Sequence, residues 1–192
     1  MENSKTTLVA YLADRERLLD AADDPIVAVA TRYQDGDHIP DHHHTRSQLL
    51  HALTGVVTVT TRMGRWLVPP EHALWIPAET THAVDAIGDV RMYSVYVRPG
   101  VLPDLPRHLH VAGLTPLMRS LIAEAEAIGS VAPTDERSRL IMQCLLHEIP
   151  QLAERPLGVP FPAHPRLAAL CQDFWLAQHR MQTPIVGPLT RA

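Results

Sequence analysis

A mainly β architecture, a sandwich or barrel followed by two or three α-helices, is the fold class that the sequence predicts. Three observations carry it. From Ile26 to about Val111 the chain falls into short segments rich in Val, Thr and aromatics: IVAVATRY, SQLLHALTG, VVTVTT, RWLVPP, HALWIP, THAVDAI and VRMYSVYV. That composition suits a pleated, half-buried surface. The segments are punctuated by Asp35-Gly36, Gly55, Met63-Gly64, Pro69-Pro70, Pro77 and Gly88-Asp89, the residues that turns select. Many short strands at close spacing indicate an antiparallel sandwich or barrel and not a βαβ sheet. After Gly113 the apolar period becomes helical.

Before the strands, Leu8, Tyr11, Leu12, Arg15, Leu18 and Leu19 predict a short amphipathic helix, ended by Asp23-Asp24-Pro25. The barrel is expected over residues 24–111. In the following region, residues 112–154, Thr115 and Pro116 make an N-cap and first-turn pair. Leu114, Leu117, Met118, Leu121, Ile122, Ala125 and Ile128 form an apolar stripe that stops at Gly129. A second helix is expected from Thr134, with Leu140, Ile141, Cys144, Leu145, Ile149 and Leu152 as its stripe and Pro150 bending or ending it. Two such helices either cover an open face of the barrel or pair with the same helices of a second chain. The breadth of both stripes favours a homodimer. Residues 155–192 open as a linker containing Pro156, Pro160, Pro162 and Pro165. A third helix with Leu167, Leu170, Cys171 and Phe174 on one face follows, and Pro184, Gly187 and Pro188 prevent a continuing helix.

Composition sets the outer limits. With 192 residues, of which 46% are hydrophobic and 20% charged, the chain can bury a real core and does not read as disordered. Its formal net charge of −4 lacks the basic balance usual in a DNA-binding module. Cys144 and Cys171 are the only cysteines, and their spacing supports neither a zinc finger nor a disulfide framework. The first residues carry charges throughout and lack the apolar run of a signal peptide, and no segment approaches the length of a membrane span. A cytoplasmic location is expected.

The chemistry concentrates in GDHIPDHHHTRSQLLHALTG, residues 36–55. His42 and His44 lie two apart, so an extended backbone aims both imidazoles to one side and His43 to the other. His82 arrives later, in WIPAETTHAV. Two rings from one strand and a third from a distant one can close three corners of a metal site. Neutral imidazoles suit Zn, Ni, Cu and Fe(II). The bland alternative is a polar cavity lining without metal. Gln48 is either a fourth ligand or a hydrogen-bond partner inside the barrel. Arg46 shares the even parity of the cluster; it either holds a carboxylate effector or sits in a solvated turn. Trp66 and Trp75 read as core aromatics, and His43, His51, His72, His108 and His110 carry no motif.

The spacing Gly36-x5-His42-x-His44-x3-Gln48-x6-Gly55 is similar to the first motif of the cupin superfamily, and Pro77 to His82 keeps the proline–histidine interval of the second. Two departures stand out: Gln48 occupies the position where many metal cupins have glutamate, and Glu79 replaces a glycine. HHHTRSQLL, GRWLVPPEHALWIPAETTHAV and VRMYSVYVRP narrow the likeness: the chain resembles the sensor domain of a branch of AraC-type transcriptional regulators over residues 20–178. The resemblance implies a cupin double-stranded β-helix barrel, two helices that often mediate dimerisation, and a linker to a DNA-binding domain. PFPAHPRLAALCQDF resembles that linker and the domain's opening helix, but neither complete helix-turn-helix is present.

The expected function is therefore sensing of a small-molecule or metal effector by a homodimer, with DNA reached only in a full-length relative. The expected site is His42, His44, Gln48 and His82 for a metal, with Arg46 and Gln48 for an organic ligand. The family includes a branch described as nickel-responsive. The other class is a small metal-dependent cupin enzyme, a dioxygenase or isomerase. Gln48 lowers that reading because non-haem iron oxygenases commonly use two histidines and a carboxylate.

Overall fold

The computed structural model describes residues 19, 22–128, 135–160, 162, 164–167 and 169–171. The strands are β1 (Ile26–Tyr33), β2 (His38–His42), β3 (Ser47–Thr61), β4 (Gly64–Val68), β5 (His72–Ile76), β6 (His82–Val97) and β7 (His110–Gly113). Helices α1 (Pro116–Ile128) and α2 (Glu136–Glu148) follow, then a 3-10 turn at Ile149–Gln151 and the short strands β8 (Glu154–Arg155) and β9 (Gly158–Pro160). Residues 165–167 and 169–171 are helical. The architecture is mainly β, one antiparallel nine-stranded sheet with helices on its C-terminal side.

Two expected turns prove to be corners inside continuous strands. SQLLHALTG and VVTVTT are one strand, β3, and THAVDAI and VRMYSVYV are one strand, β6. The two run antiparallel along nearly their whole lengths, from Gln48 opposite Tyr96 to Thr60 opposite Ala83, with register irregularities around Thr54. Gly55 and Gly88 both take positive φ, 67° and 73°, a region that glycine enters without steric cost. They are neighbours: a Cβ on Gly88 would lie 3.9 Å from the Cα of Gly55. Both long strands therefore fold over at one place, and a single sheet becomes two facing layers. One layer holds β1, β5 and β7 with the halves Gln48–Ala52 and Val90–Val97; the other holds β2 and β4 with the remaining halves.

Alternation divides the core in two. Leu50, Ala52, Val57, Val59, Leu74, Ile76, Val84 and Met92 fill the barrel interior. Leu49, Ala73, Trp75, Tyr93, Val95 and Val97 point to the other side and pack with Met118, Ile122, Ala125, Met142, Leu145 and Ile149 of the helical region. Trp66 is half-buried against the interior cluster and Trp75 is core, its indole N–H donating to the Pro106 carbonyl at 2.8 Å. The helices thus cover the outer face of one layer. Thr115 caps α1, its hydroxyl accepting from the Met118 amide at 3.0 Å.

Helix α2 differs in part from its expected face. Its N-cap is Asp135, whose carboxylate accepts from the Ser138 amide at 2.9 Å and hydroxyl at 2.7 Å. The buried positions are Ser138, Met142, Leu145 and Leu146, while Leu140 and Cys144 are exposed. Leu145, Ile149 and Leu152 of the expected stripe are buried and Ile141 packs against them, while Met142 and Leu146 take the places expected of Leu140 and Cys144. In α1, Leu117 is likewise exposed although the rest of its stripe from Leu114 to Ala125 is buried. Arg137 reaches Glu124 at 2.6 Å, so α2 begins beside the end of α1.

Residues 154–160, expected as linker, are sewn onto the barrel. β8 pairs with β7 and β9 with β4, with the Leu67 amide donating to the Leu157 carbonyl between them at 3.1 Å. Gly158 lies against Trp66, where an added Cβ would come 2.5 Å from the indole nitrogen. The expected N-terminal helix, apart from Leu19, lies outside the described residues, as do Gly129, Thr134, Phe174 and the C-terminal segment with Pro184, Gly187 and Pro188. Among the described residues no helix is long and apolar enough to cross a membrane.

Candidate metal and effector site

The site forms at the barrel end opposite the glycine corners. His42 ends β2, His82 begins β6, and the two are register partners. Their ring centroids are 4.3 Å apart. His44 lies just beyond β2, yet the in–out alternation of a strand continues through it: His43 is exposed and His44 buried. Its centroid lies 4.9 Å from His42 and 5.5 Å from His82. All three rings offer ligand atoms within 4.8 Å of one another. Among the described residues no carboxylate or thiolate joins this group.

Two of the rings are set by the backbone. His42 Nδ1 meets the Pro40 carbonyl and His82 Nδ1 meets the Thr80 carbonyl, each at 2.8 Å. A carbonyl only accepts, so Nδ1 donates in both and the lone pair lies on Nε2. Such a bond to the non-ligating nitrogen is the usual way of orienting a metal-binding histidine. His82 is 1% exposed and His44 is also buried; His42 is the ring nearest the mouth.

Gln48 is 2% exposed and on the same inner face. Its Nε2 donates to Ser94 Oγ at 2.9 Å and Tyr96 Oη at 3.4 Å. The Tyr96 ring stands edge-on to His44 with centroids 5.1 Å apart, so Tyr96 touches both Gln48 and the histidine cluster. Gln48 Oε1 is buried without a hydrogen-bond partner among the described residues. An unsatisfied buried acceptor costs about 1–3 kcal/mol; a cation or a donor on a ligand would relieve it. The imidazole set fits a divalent transition metal.

Of the two expectations for Arg46, the solvated turn is not what the structure shows. It is 5% exposed, not in a solvated turn, and its guanidinium donates to the carbonyls of Asp24 and Ala22. It pins the segment before β1, as does Arg98, which donates to the carbonyls of Ala22, Asp23 and Asp24. Arg46 still lines the cavity of about 370 Å³ that opens beside His42 and His44, with Leu19, Asp41 and Thr45 also in its wall. That volume is at the lower end for small-molecule pockets.

Ser94 and Tyr96 were not singled out from the sequence. Their signal is that Ser94 and Tyr96 are polar at even positions of VRMYSVYV, the parity of Gln48. Of the unassigned histidines, His43 faces Glu79 at 3.6 Å and His108 faces Glu154 at 3.2 Å, both on the surface. His51 is buried under the helices with Nδ1 donating to the His72 carbonyl at 2.8 Å.

The site is thus an inward cluster of three histidines at one end of a two-layered β structure that carries a helical cover. The chain belongs to the AraC-like ligand binding domain family, which it matches over residues 25–150. It is 27% identical over 133 residues to the HTH-type transcriptional regulator NimR of Escherichia coli (strain K12), covering 69% of this chain and 48% of NimR. The chain thus spans about half the length of the curated relative it matches. Among solved structures it is similar to a cupin superfamily protein from Desulfitobacterium hafniense, at 22% identity and TM-score 0.38 over 41% of this chain and 72% of that one. It is also similar to ToxT from Vibrio cholerae, at 6% identity and TM-score 0.43 over 66% and 55% of the respective chains.

Proposed function

We propose that this chain is the sensing part of an AraC-type transcriptional regulator of the cytoplasm, with a divalent transition metal held at the barrel mouth by His42, His44 and His82 and contacted by Gln48. The observation that carries this reading is the convergence of three imidazoles whose ligand atoms lie within 4.8 Å, two of them oriented by carbonyls. A bound metal supplies a Lewis-acidic point to which a small effector can attach. The chain's own residues orient the rings, exclude water behind His82 and close the wall with Tyr96 and Leu19.

In this reading two chains pair through α1 and α2. Effector binding biases the dimer because its affinity differs between two arrangements of barrel and helices. In a full-length relative that bias repositions DNA-reading modules. Elemental analysis of untagged protein incubated with Ni, Zn, Cu or Fe(II) tests the metal. One equivalent bound by the native chain and lost in His42→Ala and His82→Ala is expected; no bound metal in the native chain would refute it. The runner-up, a small metal-dependent cupin enzyme, has the adjoining cavity in its favour, and turnover that depends on the same histidines would establish it.

A further inference from the structure

Resting on the metal reading above, we infer that the effector is a small carboxylate that binds at the metal itself, supplying the negative charge that the protein omits. The argument is one of charge. A divalent ion held by three neutral imidazoles keeps its full dipositive charge, and Gln48 adds none. Among the described residues the ligand group contains no Asp, Glu or Cys. Asp41 lines the cavity but stays outside that group and is exposed. An uncompensated dication beside buried His82, Gln48 and Tyr96 is costly to desolvate, and an anion at bonding distance offsets that cost far more than a neutral ligand can.

The cavity has room for such a molecule. It lies against His42 and His44, holds about 370 Å³, and has the apolar Leu19 and the polar Thr45 in its wall. A carboxylate oxygen would reach the metal while the body of the molecule lies along Leu19. Binding of anion and metal should then be reciprocal: each raises the affinity for the other by the same factor.

The experiment uses the whole untagged chain stripped by a chelator and reloaded with Co²⁺, whose visible spectrum reports its ligands. Acetate and oxalate are added in parallel with acetamide, a neutral analogue of acetate. The carboxylates are expected to shift the cobalt bands and to tighten cobalt binding by at least about tenfold, with acetamide doing neither. Gln48→Glu supplies the missing charge from the protein side. It is expected to bind cobalt more tightly and to lose most of the carboxylate response. Cobalt bound through the histidines, with bands that vanish in His82→Ala but respond identically to acetate and acetamide, would overturn the inference while leaving the metal site intact. Failure of the native chain to bind cobalt would overturn the metal reading and this inference with it.

Discussion

The Glu79 amide donates to the His44 carbonyl at 2.8 Å. The turn that delivers His82 is thereby tied to the residue carrying another of the three imidazoles. Glu79 makes this bond with φ of 62°, in the left-handed region that disfavours a side chain. It stands at the glycine position of the cupin motif that Pro77–His82 resembles, and its backbone is in the region that favours glycine.

Glu79→Gly should therefore raise stability, by about 1 kcal/mol, since the left-handed conformation costs a non-glycine residue about that much. The lost contact with His43 is exposed and contributes little. Urea denaturation of the two chains measures the difference, and an unchanged or lower midpoint would count against the strain argument.

Gly55→Ala should have the opposite sign. Its Cβ would lie 2.8 Å from Val90 Cγ2 and 3.0 Å from the carbonyl oxygens of Ile87 and Asp89, at a φ of 67°. Backbone oxygens cannot step aside cheaply, so a loss of about 2–4 kcal/mol is expected from strain and overpacking together. Thermal unfolding checks it.

His51 makes stability depend on pH. Burial, the largest cause, holds its imidazole below the usual 6.5, with Arg119 and His72 acting the same way and the His72 carbonyl bond and Glu71 opposing. Because the folded value is the depressed one, the unfolded chain takes up the proton first. The stabilisation is complete above pH 6.5 and is lost as the pH falls from there through the folded value. Denaturation midpoints measured from about pH 7.5 down to 5 should fall, and less steeply in His51→Phe.

The exposed apolar residues of the helices test the dimer. Leu117 is 53% and Leu140 51% exposed. The Arg137–Glu124 pair brings α1 and α2 side by side, with Leu140 and Cys144 following Arg137 along one helical row. Leu117→Arg with Leu140→Arg should convert a dimer to a monomer in sedimentation velocity while leaving the fold intact, because neither side chain belongs to the core.

The barrel strands and the three histidines were legible because both depend on local rules: period-two alternation, and parity that survives even where β2 ends before His44. The pairing of His42 with His82 followed from motif spacing and required only the fold class. What the sequence hid was tertiary. Gly55 and Gly88 punctuate the sequence like turns, and only the partner strand reveals that they are bends in unbroken pairing. On α2 and the turn after it the buried Leu145 and Ile149 were legible, but nothing local says that Met142 and Leu146, and not Leu140 and Cys144, complete the buried face. Arg46 read as a candidate for a solvated turn because nothing local says that the carbonyls of Ala22 and Asp24 will come to meet it. The prolines around Gly158 concealed β9, since a two- or three-residue edge strand leaves almost no periodic trace.

The corners at Gly55 and Gly88 have a mechanical consequence. Because β6 spans both layers, with Gly88 between its halves, His82 at its start and Tyr96 near its end both come against His44. A graft that stiffens or splays the strand at Gly88 should therefore alter the spacing of these rings without replacing any of them.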